Sequence, residues 1–139
     1  MAKINPFKSS NPKASRHFRV DDSPENINYE DRPPIFSLKY MKYGGSCCLS
    51  KCEKSDRTLI LDKLLGLSQF KWKDIHSKPK QGFGYESIHK DSFKKPFPPI
   101  VTPEVNILVF RYSSSGRIAG FRDKDIYHIV MTGPDLYSH

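Results

Sequence analysis

The sequence predicts an α+β domain of order β-α-α-β-β-β-β, with two helices packed on one face of an antiparallel sheet. Three observations carry this expectation. A leucine-rich helical run ends near Leu67, a second short run follows behind Ser68, and the last third alternates β-prone stretches with turn residues.

Residues 1–34 are read as a flexible arm. Pro6, Pro12, Pro24, Pro33 and Pro34 interrupt them, and Phe7, Phe18 and Ile27 are scattered without period. Such a stretch buries too little apolar surface to offset its ordering entropy. The folded domain is expected over 35–139. In Ile35–Met41, Phe36, Leu38 and Tyr40 alternate with polar residues, which predicts a first strand.

Ser50 and Glu53 form a capping-box pattern, with Leu49 placed as a staple residue. The helix should run to about Leu67. Leu59, Ile60, Leu61, Leu64 and Leu65 make its second half apolar on more than one face, which predicts a central core helix. Ser68 caps a second helix over Gln69–His76, which Lys78-Pro79 ends. A short strand is expected at Tyr85–Ile88. Residues 89–103 hold Pro96, Pro98, Pro99 and Pro103 and read as loop. Val105–Tyr112, Arg117–Arg122 and Ile126–Met131 then form a meander, separated by Ser113–Gly116 and Asp123–Asp125.

The net charge of +8 is unevenly spread: +1 over residues 1–34, +7 over 35–100 and zero over 101–139. A basic excess confined to the middle of a domain fits a polyanionic partner, or else a solvated surface. No stretch is long and apolar enough for a membrane helix, and Met1 to Val20 lacks the apolar centre of a secretory signal. Cys47, Cys48 and Cys52 match no common zinc spacing. An odd number of thiols without an export signal points to a reducing, cytoplasmic compartment, with no metal or cofactor expected and Cys52 facing the core from the helix.

No phosphate-binding glycine loop, paired-histidine zinc motif or nucleophile elbow is present. What remains is a basic, imidazole and phenol set near the C-terminus: Arg111, Arg117, Arg122, Tyr127, His128, Tyr137 and His139. Alternation puts Arg111 on one face with Val105, Ile107 and Val109. Metal-free RNA cleavage asks for such a set: a base for the 2′-hydroxyl, an acid for the leaving 5′-oxygen, and a guanidinium for the phosphorane charge.

The helix-then-sheet order and the basic passage Lys78-Pro79-Lys80-Gln81-Gly82-Phe83-Gly84-Tyr85-Glu86 resemble the RelE/ParE-type toxins of bacterial toxin–antitoxin pairs. So do the strand Ile107-Leu108-Val109-Phe110-Arg111-Tyr112 and the ending Leu136-Tyr137-Ser138-His139. The resemblance implies a RelE-like fold and an endoribonuclease that cuts messenger RNA, on the ribosome in the RelE branch, and is neutralised by an antitoxin protein. The ParE branch implies a gyrase inhibitor instead. The resemblance places Lys78 and Lys80 on the RNA, and Arg111, Arg122, Tyr137 and His139 in the catalytic set; the reading of the residues themselves adds Arg117 to the RNA contacts and His128 to the catalytic candidates. The competing reading is a non-catalytic basic module that grips nucleic acid or an acidic protein.

Overall fold

A computed structural model describes residues 26–138. Five strands form one sheet: β1 (Ile35–Ser37), β2 (Glu86–Ile88), β3 (Ile107–Arg111), β4 (Gly116–Asp123) and β5 (Ile126–Pro134). Two helices, α1 (Lys54–Leu67) and α2 (Trp72–His76), lie between β1 and β2 in the chain. The fold is therefore α+β, in the expected element order. Across the sheet the order is β1-β5-β4-β3-β2. The helices carry the chain from one sheet edge to the other, and the meander walks back until β5 lies beside β1. That pair is parallel, while the remaining pairs are antiparallel, so the sheet is mixed.

One sheet face packs on the helices through Ile60, Leu67, Trp72, Ile75, Phe110, Ile118, Tyr127 and Ile129. The helices differ in detail from the pattern in the sequence. Ser50 does not cap α1: its hydroxyl lies 2.7 Å from the Cys48 thiol, residues 49–51 turn as a 3-10 helix, and Glu53 occupies the N-cap. Cys52 thus precedes the helix, although its sulfur still reaches Thr132 Oγ1 at 3.4 Å. Only Ile60 and Leu67 of α1 are buried, and Leu61 and Leu65 are 69% and 63% exposed. The helix is peripheral, not central. Ser68 donates back to the Leu65 carbonyl, which closes α1 and leaves α2 to start at Trp72.

The first strand ends at Ser37, whose Oγ accepts from the Lys39 amide and turns the chain. Phe36 and Tyr40 consequently enter opposite cores. The second core lies on the other sheet face. There Ile107, Val109, Ala119, Phe121 and Met131 meet Phe93, Val101 and Tyr137. The proline-rich loop and the C-terminal tail form this layer, joined by a bridge between Phe93 and Tyr137. Both sheet faces are dry, which explains the unbroken apolar run Ile129–Met131. A bulge lets it fit: Ala119 pairs with Met131 but Gly120 with Ile129, so Val130 is left over.

Residues 26–34, read as part of the arm, are docked. Tyr29–Asp31 form a 3-10 turn capped by Asn28, and the Trp72 amide donates to the Arg32 carbonyl at 2.9 Å. The rest of the expected arm, residues 1–25, lies outside the described residues.

Candidate functional site

Strand register brings two guanidinium groups together. Arg111 of β3 pairs directly with Arg117 of β4. Both follow the alternation of the second core face, set by Ile107 and Val109 on one strand and Ala119 and Phe121 on the other. Cross-strand partners on one face hold their Cβ atoms about 5 Å apart, and like charges there are destabilising. Such a pair signals either strong internal partners or an anion.

Arg117 has the internal partners. It is buried, Nη1 donates to the carbonyls of Ser113, Ser114 and Gly116, and Nε donates to the Tyr137 hydroxyl at 3.3 Å. Arg111 is less committed. Its Nη2 lies 3.5 Å from Glu86 Oε1, but its buried Nε and that same carboxylate oxygen make no hydrogen bond. A buried polar atom in this state calls for an explanation, such as a bound water, an ion or a catalytic role, and the Tyr112 hydroxyl and His128 Nδ1 elsewhere share it. Glu86 Oε2 meets Lys80 Nζ at 3.7 Å. A cavity of about 320 Å³ opens beside Arg117, lined by Ser114, Ser115, Asp135 and Tyr137.

The loop before β2 places Lys80 and Glu86. The amides of Gly82 and Gly84 both donate to the Pro79 carbonyl, and a Cβ on Gly84 would collide with the Lys78 carbonyl. Only glycine allows so tight a return at Gly84. The tail is held by Lys94, whose amide donates to Leu136 O and whose ammonium meets Asp135 at 2.7 Å.

Lys80, Arg111, Arg117 and Tyr137 therefore share one end of the second face. Arg122, His128 and Lys78, also expected at the site, do not join them. Arg122 pairs with Tyr127 at the opposite end of β4 and stacks on Trp72, its Cζ 4.2 Å from the ring. His128 pairs with Phe121, faces away from Arg122 and packs against the Phe121 and Tyr40 rings. Burial pushes its pKa below the ordinary imidazole value, against the opposing pull of Asp123. Lys78 lies over the Phe70 ring at 4.1 Å on the helical side. His139 lies outside the described residues.

Glu86 was missed in the sequence, where the one signal was a carboxylate inside a short strand. A second cluster was missed as well. Glu30 bridges His76 and Arg122, and His76 Nδ1 hydrogen-bonds the Tyr85 hydroxyl. Its members come from four separate segments, so no local pattern marks them. Near the cysteines, a cavity of about 390 Å³ is lined by Tyr40, Lys42, Cys47, Cys48, Phe97 and Met131. Among the described residues no group of His, Cys, Asp or Glu is placed to hold a metal ion, and no helix is long and apolar enough to cross a membrane. Compared with family models, curated proteins and solved structures, the chain matches none.

Proposed function

We propose that the chain is a toxin-like endoribonuclease of the RelE/ParE kind, cleaving messenger RNA without a metal and held in check by an antitoxin protein. The observation that carries this reading is the half-satisfied Glu86–Arg111 pair beside Arg117 and Tyr137. A phosphodiester entering this end of the sheet meets Arg111, whose Nε takes a phosphate oxygen while Arg117 adds positive potential. Glu86, freed from Arg111 by the competing phosphate, accepts the 2′-hydroxyl proton. The 2′-oxygen then bonds to phosphorus, the bond from phosphorus to the 5′-oxygen breaks, and a 2′,3′-cyclic phosphate remains. Tyr137 gives its phenol proton to the departing 5′-oxygen, and Glu86 returns its proton to the phenolate through solvent. The phenol oxygen accepts from the Arg117 cation, and that donation stabilises the phenolate left when the proton departs.

The basic middle of the chain would grip the RNA backbone, with Lys80 nearest the site. The test is cleavage of a messenger-length RNA in the presence of a chelator, with and without ribosomes, mapped by primer extension. Glu86→Gln and Arg111→Ala should each slow cleavage by about 10²-fold or more with unchanged circular dichroism. Wild-type cleavage by both variants would overturn the assignment. The ion pairing of both Glu86 oxygens favours the second reading, a binding module that breaks no bond. In that case RNA affinity falls steeply with salt and no new 5′ ends form. Inhibition of supercoiling by gyrase, without RNA cleavage, would place the protein in the ParE branch.

A further inference from the structure

The second cluster has the asymmetry of a receptor and a removable occupant. The receptor half is fixed from several sides. Arg122 is stacked on Trp72, its Nε donates to the Lys124 carbonyl at 2.6 Å, and its side chain is only 18% exposed. His76 is pinned through Nδ1 by Tyr85, whose phenol pKa is raised by burial. Trp72 is fully buried, and its indole N–H donates to the Asp125 carbonyl at 3.1 Å. These contacts leave Arg122 Nη1 and His76 Nε2, 3.4 Å apart, converging on one point.

The occupant of that point is Glu30. Its two carboxylate oxygens lie 2.8 Å from His76 Nε2 and 2.6 Å from Arg122 Nη1. Burial raises the carboxyl pKa, but Arg122 and His76 outweigh it and hold it below the usual value. Glu30 belongs to the three-residue 3-10 turn Tyr29–Asp31, which has no buried residue. Besides Glu30, the turn is held by Asp31, which meets Lys73 at 2.8 Å, a pair about half exposed on each side. Ion pairs of that exposure are weak. Firm anchoring starts after the turn, at the Arg32 carbonyl and the buried Pro34.

We propose that Arg122 and His76 form a phosphate-binding site that the chain's own Glu30 occupies at rest, and that a phosphate-bearing ligand displaces Glu30 and lifts residues 29–31. The guanidinium fork and the second nitrogen donor suit a tetrahedral oxyanion, with more acceptor oxygens than the carboxylate it replaces. Lys71 and Lys73, on either side of Trp72 in the chain, add positive charge next to Asp31 of the same turn, and Asp74 opposes them. The site faces the helical side of the sheet. It is separate from the Arg111–Glu86 end and does not depend on cleavage there.

Trp72 is the chain's single tryptophan and lies directly beneath Arg122, so its emission reports the site. The full chain is titrated with inorganic phosphate, and separately with a single-stranded DNA oligonucleotide, which lacks the 2′-hydroxyl that cleavage requires. If Glu30 covers the site about nine-tenths of the time, its removal raises apparent affinity about tenfold. Glu30→Ala should therefore bind at least one of the two probes about tenfold tighter than wild type, and His76→Gln should weaken that gain. Inorganic phosphate acting as well as the oligonucleotide, per phosphate, identifies a free-phosphate or nucleotide site; oligonucleotide alone identifies a strand backbone. Equal affinities of wild type and Glu30→Ala for both probes overturn the proposal. Because Arg122→Gln alters the surroundings of Trp72, its binding is read by calorimetry. A folded Glu30→Ala/Arg122→Gln double variant that keeps the full gain of Glu30→Ala, for whichever probe shows it, overturns the proposal equally.

Discussion

Replacing Tyr127 with phenylalanine removes one oxygen from the centre of the molecule and tests how the meander is held together. The Tyr127 side chain is fully buried among Phe36, Trp72 and Phe110. Its hydroxyl donates to the Leu108 carbonyl at 2.6 Å, with the Ile118 carbonyl at 3.3 Å as a second acceptor. The phenol thus reaches from β5 to the backbone of β3 and β4 beside the bulge. Tyr127→Phe keeps the ring packing and the shape, so the loss reduces to one buried hydrogen bond and a poorly satisfied carbonyl, together about 1.5 kcal/mol. Unfolding entropy near 2.1 cal/mol/K per residue gives roughly 230 cal/mol/K for a domain of about 110 residues, so the melting temperature should fall by about 6 °C. Thermal melts by circular dichroism give this shift. Urea titrations followed by Trp72 emission give the free energy independently, since the Trp72 ring centroid is 6.4 Å from that of Tyr127. A fall of less than about 2 °C, with an unchanged urea midpoint, would refute the claim that the hydroxyl ties the strands together.

Gly120→Ala should be worse than Tyr127→Phe, costing about 3 kcal/mol, because the added methyl would collide with the His128 carbonyl and touch the Tyr127 ring; urea midpoints of the two variants rank them. His128 has a depressed folded pKa, so its contribution to stability is constant above the unfolded value near 6.5. It declines as the pH falls, because the unfolded chain takes up the proton first. His128→Phe, which keeps a ring between Tyr40 and Phe121, should flatten the loss of urea stability between pH 7.5 and 5.5; an unchanged pH profile would exclude His128 as the cause. Arg117→Met leaves the three turn carbonyls and the Tyr137 phenol without their cation and should cost about 2 to 3 kcal/mol, read from the urea midpoint.

Some of this protein was legible in the chain because it depends on neighbours in sequence. The β-α-α-β-β-β-β order follows from periodicity and turn residues, and the end of α1 at Leu67 and the Lys124 turn follow from local chemistry. Alternation along β3 correctly put Arg111 with Ile107 and Val109, and the antiparallel turn put Arg122 beside Tyr127. Tertiary packing decided the rest. A leucine does not state whether it is covered, so Leu61 and Leu65 read as core although no described element lies over them. A strand does not name its partner, so the parallel β1–β5 pair was invisible. Proline-rich loop and core layer look alike until the loop is seen against the sheet. The expected C-terminal cluster was divided for the same reason. Arg117 and Arg122 are five residues apart in one strand, which puts them on opposite faces and about 17 Å apart along it. Only strand register could pair Arg111 with Arg117, bring Glu86 to them, and leave Arg122 to a histidine and a glutamate from distant parts of the chain.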